Sequence, residues 1–519
     1  MSLLIDQSGN PLTMESRPLS TQSVQHNMDF WQPALLSIDR EHLPEMPLLN
    51  SRARDIKRTH GYANGAEQIY VDNIVGHQFR LSAKPNYKLL GLDAEKASLW
   101  AKDVEARFTD WAEDPDCWID AEEKRTLTMM ARESVRHYAS QGEILASVEW
   151  RRASNNHRPQ TCIKLIDSER LTNPFEQADT QQLRAGVELG NRGQAIAYHI
   201  RCAHPGDVDL ALDAYRWKRV TRRKSWGRLQ ILHVFEPERP DQTRGINVFV
   251  STLRNLKMLE QFQDATLQNA IVNAMYAAVI QSEFDPQTVL TALGGSEPNN
   301  GNQNTLNSYM QAVQSYHQGA NNIRYNGARI PHLFPNEKLE LKTAKSNPYF
   351  ENFEDTLLRH IAASLNISFE QLSRDFSKTN YSSARASMLE SWKFFLSVRH
   401  IIPARFCQQV YALWLEEMIN KGVIELPGNA NFYQNPSAWT RCYWIAQGQT
   451  HIDGVKEVER LERLYALGAI TFEELCMMLG KDYQEILEQR QREAQEFKAY
   501  GLSPPSPNSN PVVNKATAE

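Results

Sequence analysis

The chain has 519 residues, 41% of them hydrophobic, and a formal net charge of −5 from 57 Lys+Arg against 62 Asp+Glu. This composition predicts a globular protein of roughly two to four domains and excludes a fibrous or largely disordered one. The near balance of charge also argues against a protein that coats DNA through a general basic field, so contact with a polyanion would need local patches.

The cysteines and the hydropathy pattern bear on the compartment. Six cysteines are scattered without paired spacing, which favours free thiols in a reducing compartment over disulfides or zinc. The N-terminal residues lack a basic region followed by an apolar run, and no later stretch offers ~20 uninterrupted apolar residues. We therefore expect a cytoplasmic protein with no signal peptide and no membrane span.

The first half of the chain begins with a polar, aperiodic segment, 1–29, which is predicted to be a flexible arm. The region 30–245 mixes helical and strand patterns, which predicts an α+β fold. Helical spacing covers 99–114 and 122–140, and strand patterns cover 143–152, 184–189, 194–200 and 231–235. Gly190 and Gly193 between two of these strands predict a hairpin, because glycine allows the positive φ that a tight reversal needs.

After residue 245 the pattern becomes that of a long helix. Apolar residues recur every three to five positions through 246–284, and no Gly or Pro interrupts them before residue 284. Such a helix would be on the order of 50 Å long, which suits a strut or channel wall. A Gly/Asn linker opens 285–346, a small separate module. Asn347 and Pro348 then begin a second helix, predicted to lie against the first.

The remaining sequence is predominantly helical. A polar loop leads into a third long helix from about Ser383 to Asn420, in which Pro403 predicts a kink or break. Beyond it, Asp453 and Asp482 are predicted to cap helices, and Thr471 with Glu474 has the spacing of a capping box. Residues from 503 onward are predicted to be a disordered tail.

Motifs of catalysis and metal binding are missing from the sequence. It contains no Gly-x-x-x-x-Gly-Lys-Ser/Thr loop, Gly-x-Ser-x-Gly elbow or His-Glu-x-x-His helix. His199, Cys202 and His204 lie close together, but a strand would direct them to different faces. Asp114, Asp116 and Asp120 have the spacing of ordinary loop chemistry. We predict no catalytic, cofactor-binding or metal site, and no cofactor.

The strongest charge cluster runs from Arg216 to Arg228 and includes Trp217 and Trp226. It is a candidate phosphate-binding patch, formed by Arg216, Lys218, Arg219, Arg222, Arg223 and Lys224. The alternative is an exposed loop whose charge is balanced by acidic residues elsewhere or on a neighbouring subunit.

Four strings, in this order along the chain, resemble lambda-type tailed-bacteriophage portal proteins. They are NSRARDIKRTHGYANGAEQIYVDNIVGHQFRLSAKP, which contains Arg52 to Gly76; HVFEPERPDQTRGI, from His233 to Ile246; LSRDFSKTNYSSARASMLESW; and HIDGVKEVERLERLYALGAITFEEL. The last departs from the family's Asp-Pro at Asp453-Gly454, which weakens only a local cap.

The resemblance implies a portal-type α+β subunit with an α/β wing, paired stem helices, a clip and a helical crown. The implied regions are the arm 1–29, wing 30–245, first stem helix 246–284, clip 285–346, second stem helix 347–366, tunnel loop 367–384, tunnel helix and return to the wing 385–452, crown 453–501 and tail 502–519.

The resemblance also implies a non-enzymatic function. The family's subunits form a homo-oligomeric ring, a dodecamer in virions, at one capsid vertex, where double-stranded DNA passes during packaging and ejection. The implied partners are the terminase large subunit, head-completion or connector and tail proteins, and major capsid and scaffold proteins; the implied locations are the virion and, during assembly, the host cytoplasm.

By the same resemblance the tunnel loop faces DNA. The candidate channel residues are Arg374, Lys378, Asn380, Tyr381, Ser382, Ser383 and Arg385. The basic side chains among them could contact DNA phosphates, and such contacts do not depend on the base sequence. The alternative is structural: Tyr381 and the arginines pack against the stem, and Ser382 or Ser383 caps the next helix.

Two other protein classes fit the sequence less well. A nuclease or packaging ATPase would need a metal cluster or a phosphate loop. A coat or scaffold protein would not be expected to contain paired long helices.

Overall fold

The computed structural model describes residues 34–152, 158–207, 209, 211–275, 324–325, 328–329, 350–377, 380–448 and 454–502. Predictions for the arm, most of 285–346, Asn347, Pro348, Lys378, Asp453 and the C-terminal tail lie outside these residues. Helices and strands combine in one α+β fold, as predicted.

The helices of the described residues are α1 Ile38–His42, α2 Met46–Thr59, α3 Gly61–Ile74, α4 Tyr87–Leu90, α5 Ala94–Ala112, α6 Leu127–Gln141, α7 Ala211–Ala214, α8 Leu253–Met275, α9 Phe350–Ser364, α10 Phe369–Ser373, α11 Tyr381–Arg399, α12 Arg405–Asn420, α13 Pro436–Trp439, α14 Gly454–Ala466, α15 Phe472–Met478 and α16 Tyr483–Ala499. The strands are β1 Phe79–Ala83, β2 Glu143–Trp150, β3 Thr161–Ile166, β4 Leu183–Arg184, β5 Val187–Leu189, β6 Ala195–Arg201, β7 Trp217–Thr221, β8 Ile231–Phe235, β9 Arg324–Tyr325, β10 Ala328–Arg329 and β11 Cys442–Ala446.

The main core lies beside the antiparallel sheet β3-β2-β8, against which α6 and α12 pack. Phe108 on α5 occupies its centre, with edge-to-face ring contacts to Tyr411 at 5.4 Å and Trp414 at 5.1 Å. Such contacts stabilise a core beyond the area they bury. Phe395 on α11 and Phe406 and Trp414 on α12 are likewise buried in this core.

A two-stranded sheet joins distant parts of the chain. β1 and β11 pair antiparallel, with Phe79 opposite Ala446 and Ala83 opposite Cys442. The rings of Phe79 and Trp444 stack with centroids 5.3 Å apart. Residues near 80 and near 444 thus share one structural unit, although the whole α8–α9 region separates them.

The second sheet, β4-β5-β6-β7, contains the predicted hairpin. β5 and β6 are joined by a turn closed by a bond from the Gly190 N–H to the Gln194 carbonyl, 2.8 Å long. Gly193 has φ +77° there, so the predicted positive φ is confirmed at Gly193, whereas Gly190 has no positive φ.

Two helices begin later than predicted because other hydrogen bonds, local in one case and tertiary in the other, hold the residues before them. α6 starts at Leu127, not near 122, since the buried Asp120 carboxylate accepts the N–H groups of Glu122 and Lys124. α8 starts at Leu253, not 246: the Asn247 amide donates to Asn50, and the Val248 N–H donates to the Ala139 carbonyl. Periodicity alone does not reveal such competition for backbone groups.

The predicted packing of the first long helix against the second is confirmed for the described parts of α8 and α9. Asn255 lies 2.8 Å from His360, Gln263 donates to Glu354 at 2.7 Å, and the rings of Phe262 and Phe353 are 4.9 Å apart. The contacting residue numbers rise along α8 as they fall along α9, so the two helices are antiparallel. Within the described residues, no helix is long and apolar enough to span a membrane.

The third long helix is interrupted as predicted. α11 ends at Arg399, a π-helical turn occupies His400–Ala404, and α12 continues from Arg405. Pro403 lies inside that turn, where its missing N–H and its ring prevent regular α-helical bonding.

The helical end of the chain packs on the first region through polar contacts. The predicted Thr471–Glu474 capping box and the Asp482 cap of α16 are both present. Ion pairs join Lys84 to Glu473 at 2.5 Å, Arg80 to Glu485 at 3.0 Å and Lys102 to Glu488 at 2.6 Å.

Glu105 lies beneath this junction, and its burial raises its pKa to about 7. When the folded-state pKa of a carboxyl is raised, the protein loses stability as the pH rises from the pKa of the unfolded chain, near 4.3, to the folded-state pKa, here about 7. We expect Glu105→Gln to raise the free energy of unfolding by on the order of 2 kcal/mol at pH 8 and to change it little at pH 5. Denaturant melts at both values test this; an equal effect at both would contradict it.

Candidate nucleic-acid interface

The segment between α9 and α11 contains some of the predicted channel residues, and part of it is helical. Ser368 and Gln371 form a capping box at the start of α10, so the predicted tunnel loop contains a short helix. α10 ends at Ser373, and its C-cap Arg374 has φ +57° and is exposed. A non-glycine residue in this region costs about 1 kcal/mol, which the surrounding structure must offset.

The predicted loop ends earlier than expected, because α11 begins at Tyr381. Asn380 is the N-cap: its side-chain oxygen accepts the Ser383 N–H at 2.8 Å. The expectation that Ser382 or Ser383 would cap this helix is therefore wrong. Asparagine with an extended backbone, here φ −77° and ψ 155°, suits a cap at least as well as serine.

Ser382, Ser383 and Arg385 consequently lie on α11, the two serines exposed in its first turn. The N-terminus of a helix of this length carries partial positive charge and unsatisfied N–H groups, which favour an anion. Tyr381 lies in the same turn, but its side chain is not described. Lys378 lies outside the described residues altogether. The described part of the site thus combines one exposed cation, Arg374, with one helix N-terminus.

A cavity of about 710 Å³ lies beside Arg374. It is lined by Arg374, by the start of α3 at Gly61 and Asn64, and by Glu260 and Gln263 on α8. No local sequence pattern predicts these neighbours, since roughly 310 residues separate Gly61 from Arg374.

The basic cluster Arg216–Lys224 occupies β7 and the turn that follows it. Half of its cations already have partners in the chain: Arg216 pairs with Asp213 at 2.9 Å, Arg219 with Glu188 at 2.7 Å, and Arg223 donates to the Gly227 carbonyl. Lys218, Arg222 and Lys224 form no ion pair with other described residues. Trp217 is structural, because its indole N–H donates to Thr172 at 3.0 Å.

The residues considered for metal binding lie apart from one another. His199 faces Glu188 at 3.4 Å and His204 faces Glu169 at 2.9 Å, whereas Cys202 is exposed. Within the part of the chain that the structure describes, no group of three or more His, Cys, Asp or Glu residues could hold a metal ion.

The nearby aspartates hold loops in place. Asp114 pairs with Arg158 at 2.7 Å. Asp120 is buried and pairs with Arg125 at 3.1 Å, besides accepting the two backbone N–H groups described above. Asp116 donates its backbone N–H to Asp114.

The chain is similar to known proteins over most of its length. Residues 25–399 match the model of the family described as phage portal protein, lambda family. The portal protein of Escherichia phage N15 is 40% identical over 480 residues, covering 92% of this chain and 89% of the relative. Portal protein B of Escherichia phage lambda is 39% identical with the same coverage. A chain in the neck of a native gene transfer agent particle, computed with C12 symmetry, has a TM-score of 0.37 at 12% identity and covers 83% of this chain and 93% of its own.

Proposed function

Because the chain belongs to the lambda family of phage portal proteins, we propose that identical subunits close into a ring, a dodecamer in the virion, around a channel for double-stranded DNA. The ring occupies one capsid vertex, nucleates head assembly, docks the terminase large subunit for packaging and then holds connector and tail proteins for ejection. Major capsid and scaffold proteins contact it during assembly in the host cytoplasm. The proposed regions are those given above, with the channel segment ending at Asn380.

The observation that carries the ring is the apolar surface that α8 leaves uncovered. One side of α8 packs against α9, yet Leu267 is 60% exposed and Ile271 48% exposed on the same helix. A neighbouring copy would remove these side chains from water. Identical subunits that meet through two different surfaces close into a ring when the rotation divides the circle.

The channel assignment is supported by the segment from Arg374 to Arg385. The exposed Arg374 and the N-terminus of α11 both favour phosphate. Contacts confined to phosphate carry no base information, so every sequence can pass. Few cations per subunit also suit a channel, because many strong contacts repeated around a ring would hold DNA in place.

Native mass spectrometry and negative-stain imaging of the purified full chain test the ring. We expect closed assemblies with an axial hole; monomer alone at micromolar concentration would contradict the proposal. The channel is tested with Arg374→Glu combined with Arg385→Glu, which should leave rings intact and reduce DNA-filled heads about tenfold. Lys393→Glu, on the same helix but farther from the loop, is the matched control. Full packaging by the double variant would show that these two arginines do not act in the DNA channel.

A further inference from the structure

The turn between β7 and β8 presents an exposed tryptophan among cations. It is closed by bonds from the Lys224 N–H to the Arg228 carbonyl at 2.8 Å and from the Gly227 N–H to the Lys224 carbonyl at 2.9 Å. Trp226 is 64% exposed at its tip. Exposed tryptophans beside cations are typical of residues that anchor protein interfaces.

Contacts with α12 fix the position of this turn. Arg228 pairs with Glu416 at 2.6 Å and donates to the Leu413 carbonyl at 3.2 Å, both on α12. Lys224 has no ion-pair partner in the described chain. The tip, defined as residues 222–227, therefore carries positive charge and a largely exposed tryptophan, and the contacts of Arg228 with α12 hold its base in place.

A groove of about 1460 Å³ lies elsewhere on the subunit, between α5, the start of α6, β1 and the start of α16. Its apolar lining includes Met129, which is 52% exposed, whereas Phe108 and Leu127 are buried at its floor. A methionine thioether is a favourable contact for an aromatic ring.

Carboxylates outnumber cations along this groove even without Glu105, whose pKa is raised to about 7. Asp110 and Glu113 come from α5 and its C-cap, and Asp482, Glu485 and Glu488 come from the start of α16. Glu485 and Glu488 are paired with Arg80 and Lys102. Asp110 is exposed and forms no ion pair within the described residues, so negative charge remains uncompensated at the rim.

We propose that the Trp226 tip of one subunit docks in the α5–α16 groove of the adjacent subunit of the ring. The inference rests on the proposed ring, because a heterologous interface needs two different, complementary surfaces on every copy. The tip supplies an exposed aromatic ring and unpaired cations; the groove supplies apolar surface and unpaired carboxylates. Matched charges of this kind fix register and speed association.

The neighbouring subunit fits the tip better than DNA does. Of the six cations in the candidate phosphate patch, Arg216, Arg219 and Arg223 are engaged within their own subunit. An exposed indole beside the remaining cations suits an apolar groove, since duplex DNA presents its phosphates outermost and its bases only within the grooves.

A photo-crosslinking amino acid in place of Trp226, in the full-length assembled protein, tests the contact directly. Irradiation should yield a ladder of covalent oligomers on a denaturing gel, with peptides from α5, α6 or α16 joined to residue 226. Intact rings whose crosslinks reach DNA, the same subunit or another surface would overturn the proposal while leaving the ring in place. Absence of rings in the parent protein would instead overturn the proposed function.

A charge exchange tests the complementarity. Lys224→Glu should weaken ring assembly about tenfold at fixed concentration, and adding Asp110→Lys should restore it. Arg192→Glu, at the tip of the neighbouring β5–β6 turn, is the matched control and should assemble normally. Circular dichroism confirms that each monomer is folded. Normal assembly of Lys224→Glu, or no rescue by Asp110→Lys, would contradict the proposed pairing.

Discussion

Replacing Arg244 with alanine is expected to lower the free energy of unfolding by about 3–5 kcal/mol, because it leaves a buried carboxylate without its partner. Arg244 and Glu143 are both fully buried, with 0% side-chain exposure, and are joined by bonds of 2.5 and 2.8 Å. The guanidinium also donates to the carbonyls of Leu171 and Ser168, each at 2.9 Å. Its removal would take one donor from each of these carbonyls, although the Ser168 carbonyl would keep the Leu171 N–H at 3.1 Å.

The same pair predicts sensitivity to acid. Burial opposes ionisation of Glu143, but Arg244 and His233 together hold the pKa of its carboxyl well below the usual range. A depressed folded pKa contributes stability that is present above the unfolded value, near 4.3, and is lost as pH falls below it. The parent protein should therefore lose stability below about pH 4, and Arg244→Ala should lose less over that interval.

Denaturant and thermal melts, with hydrogen exchange in β2 and β8, measure both effects. Arg239→Ala is the matched control, because Arg239 pairs with Glu41 at the surface and such exposed pairs contribute at most about 1 kcal/mol. A loss below about 1 kcal/mol for Arg244→Ala would mean that the pair does not stabilise this region.

Gly245→Ala is expected to destabilise the protein by about 3 kcal/mol through crowding alone. A Cβ at this position would lie 2.2 Å from the Gly142 carbonyl oxygen and 2.5 Å from its carbon. Both atoms belong to the backbone, which cannot turn aside as a flexible side chain would. The adjoining strand end and the Glu143 carboxylate, which accepts the Gly245 N–H at 3.0 Å, would have to shift together.

Gly65→Ala provides the opposite expectation within the same chain. Gly65 lies inside α3, and a Cβ there would meet nothing within 4 Å. Alanine should stabilise the helix by about 1 kcal/mol, since glycine is a poor helix former. If both variants shifted the melting temperature in the same direction, the close approach at Gly245 would not explain its requirement for glycine.

The fold class and the local helix signals could be predicted from the sequence because they depend on nearby residues. The capping box at Thr471, the cap at Asp482 and the interruption at Pro403 all need only a few neighbours. The late start of α8 could not be predicted, since Asn50 and Ala139 capture its first residues from far along the chain.

Prediction of the candidate site was limited in the same way. The channel segment was identified through family resemblance, but the helix start at Tyr381 was set by the Asn380 cap. The string from His233 to Ile246 was identified as a signature without a physical role. His233 and Arg244 both contact Glu143, which lies 90 and 101 residues away, so the spacing within the string places two partners on one distant carboxylate.

The pairing of β1 with β11 also has a consequence during protein synthesis. Phe79 leaves the ribosome roughly 370 residues before its partner Ala446, an interval of roughly 20–70 s at typical elongation rates. Throughout that time the surface that later stacks on Trp444 remains uncovered on the nascent chain. Polysomes that hold many such chains close together place these surfaces side by side, so slower initiation, which spaces the ribosomes, should increase the yield of soluble subunits.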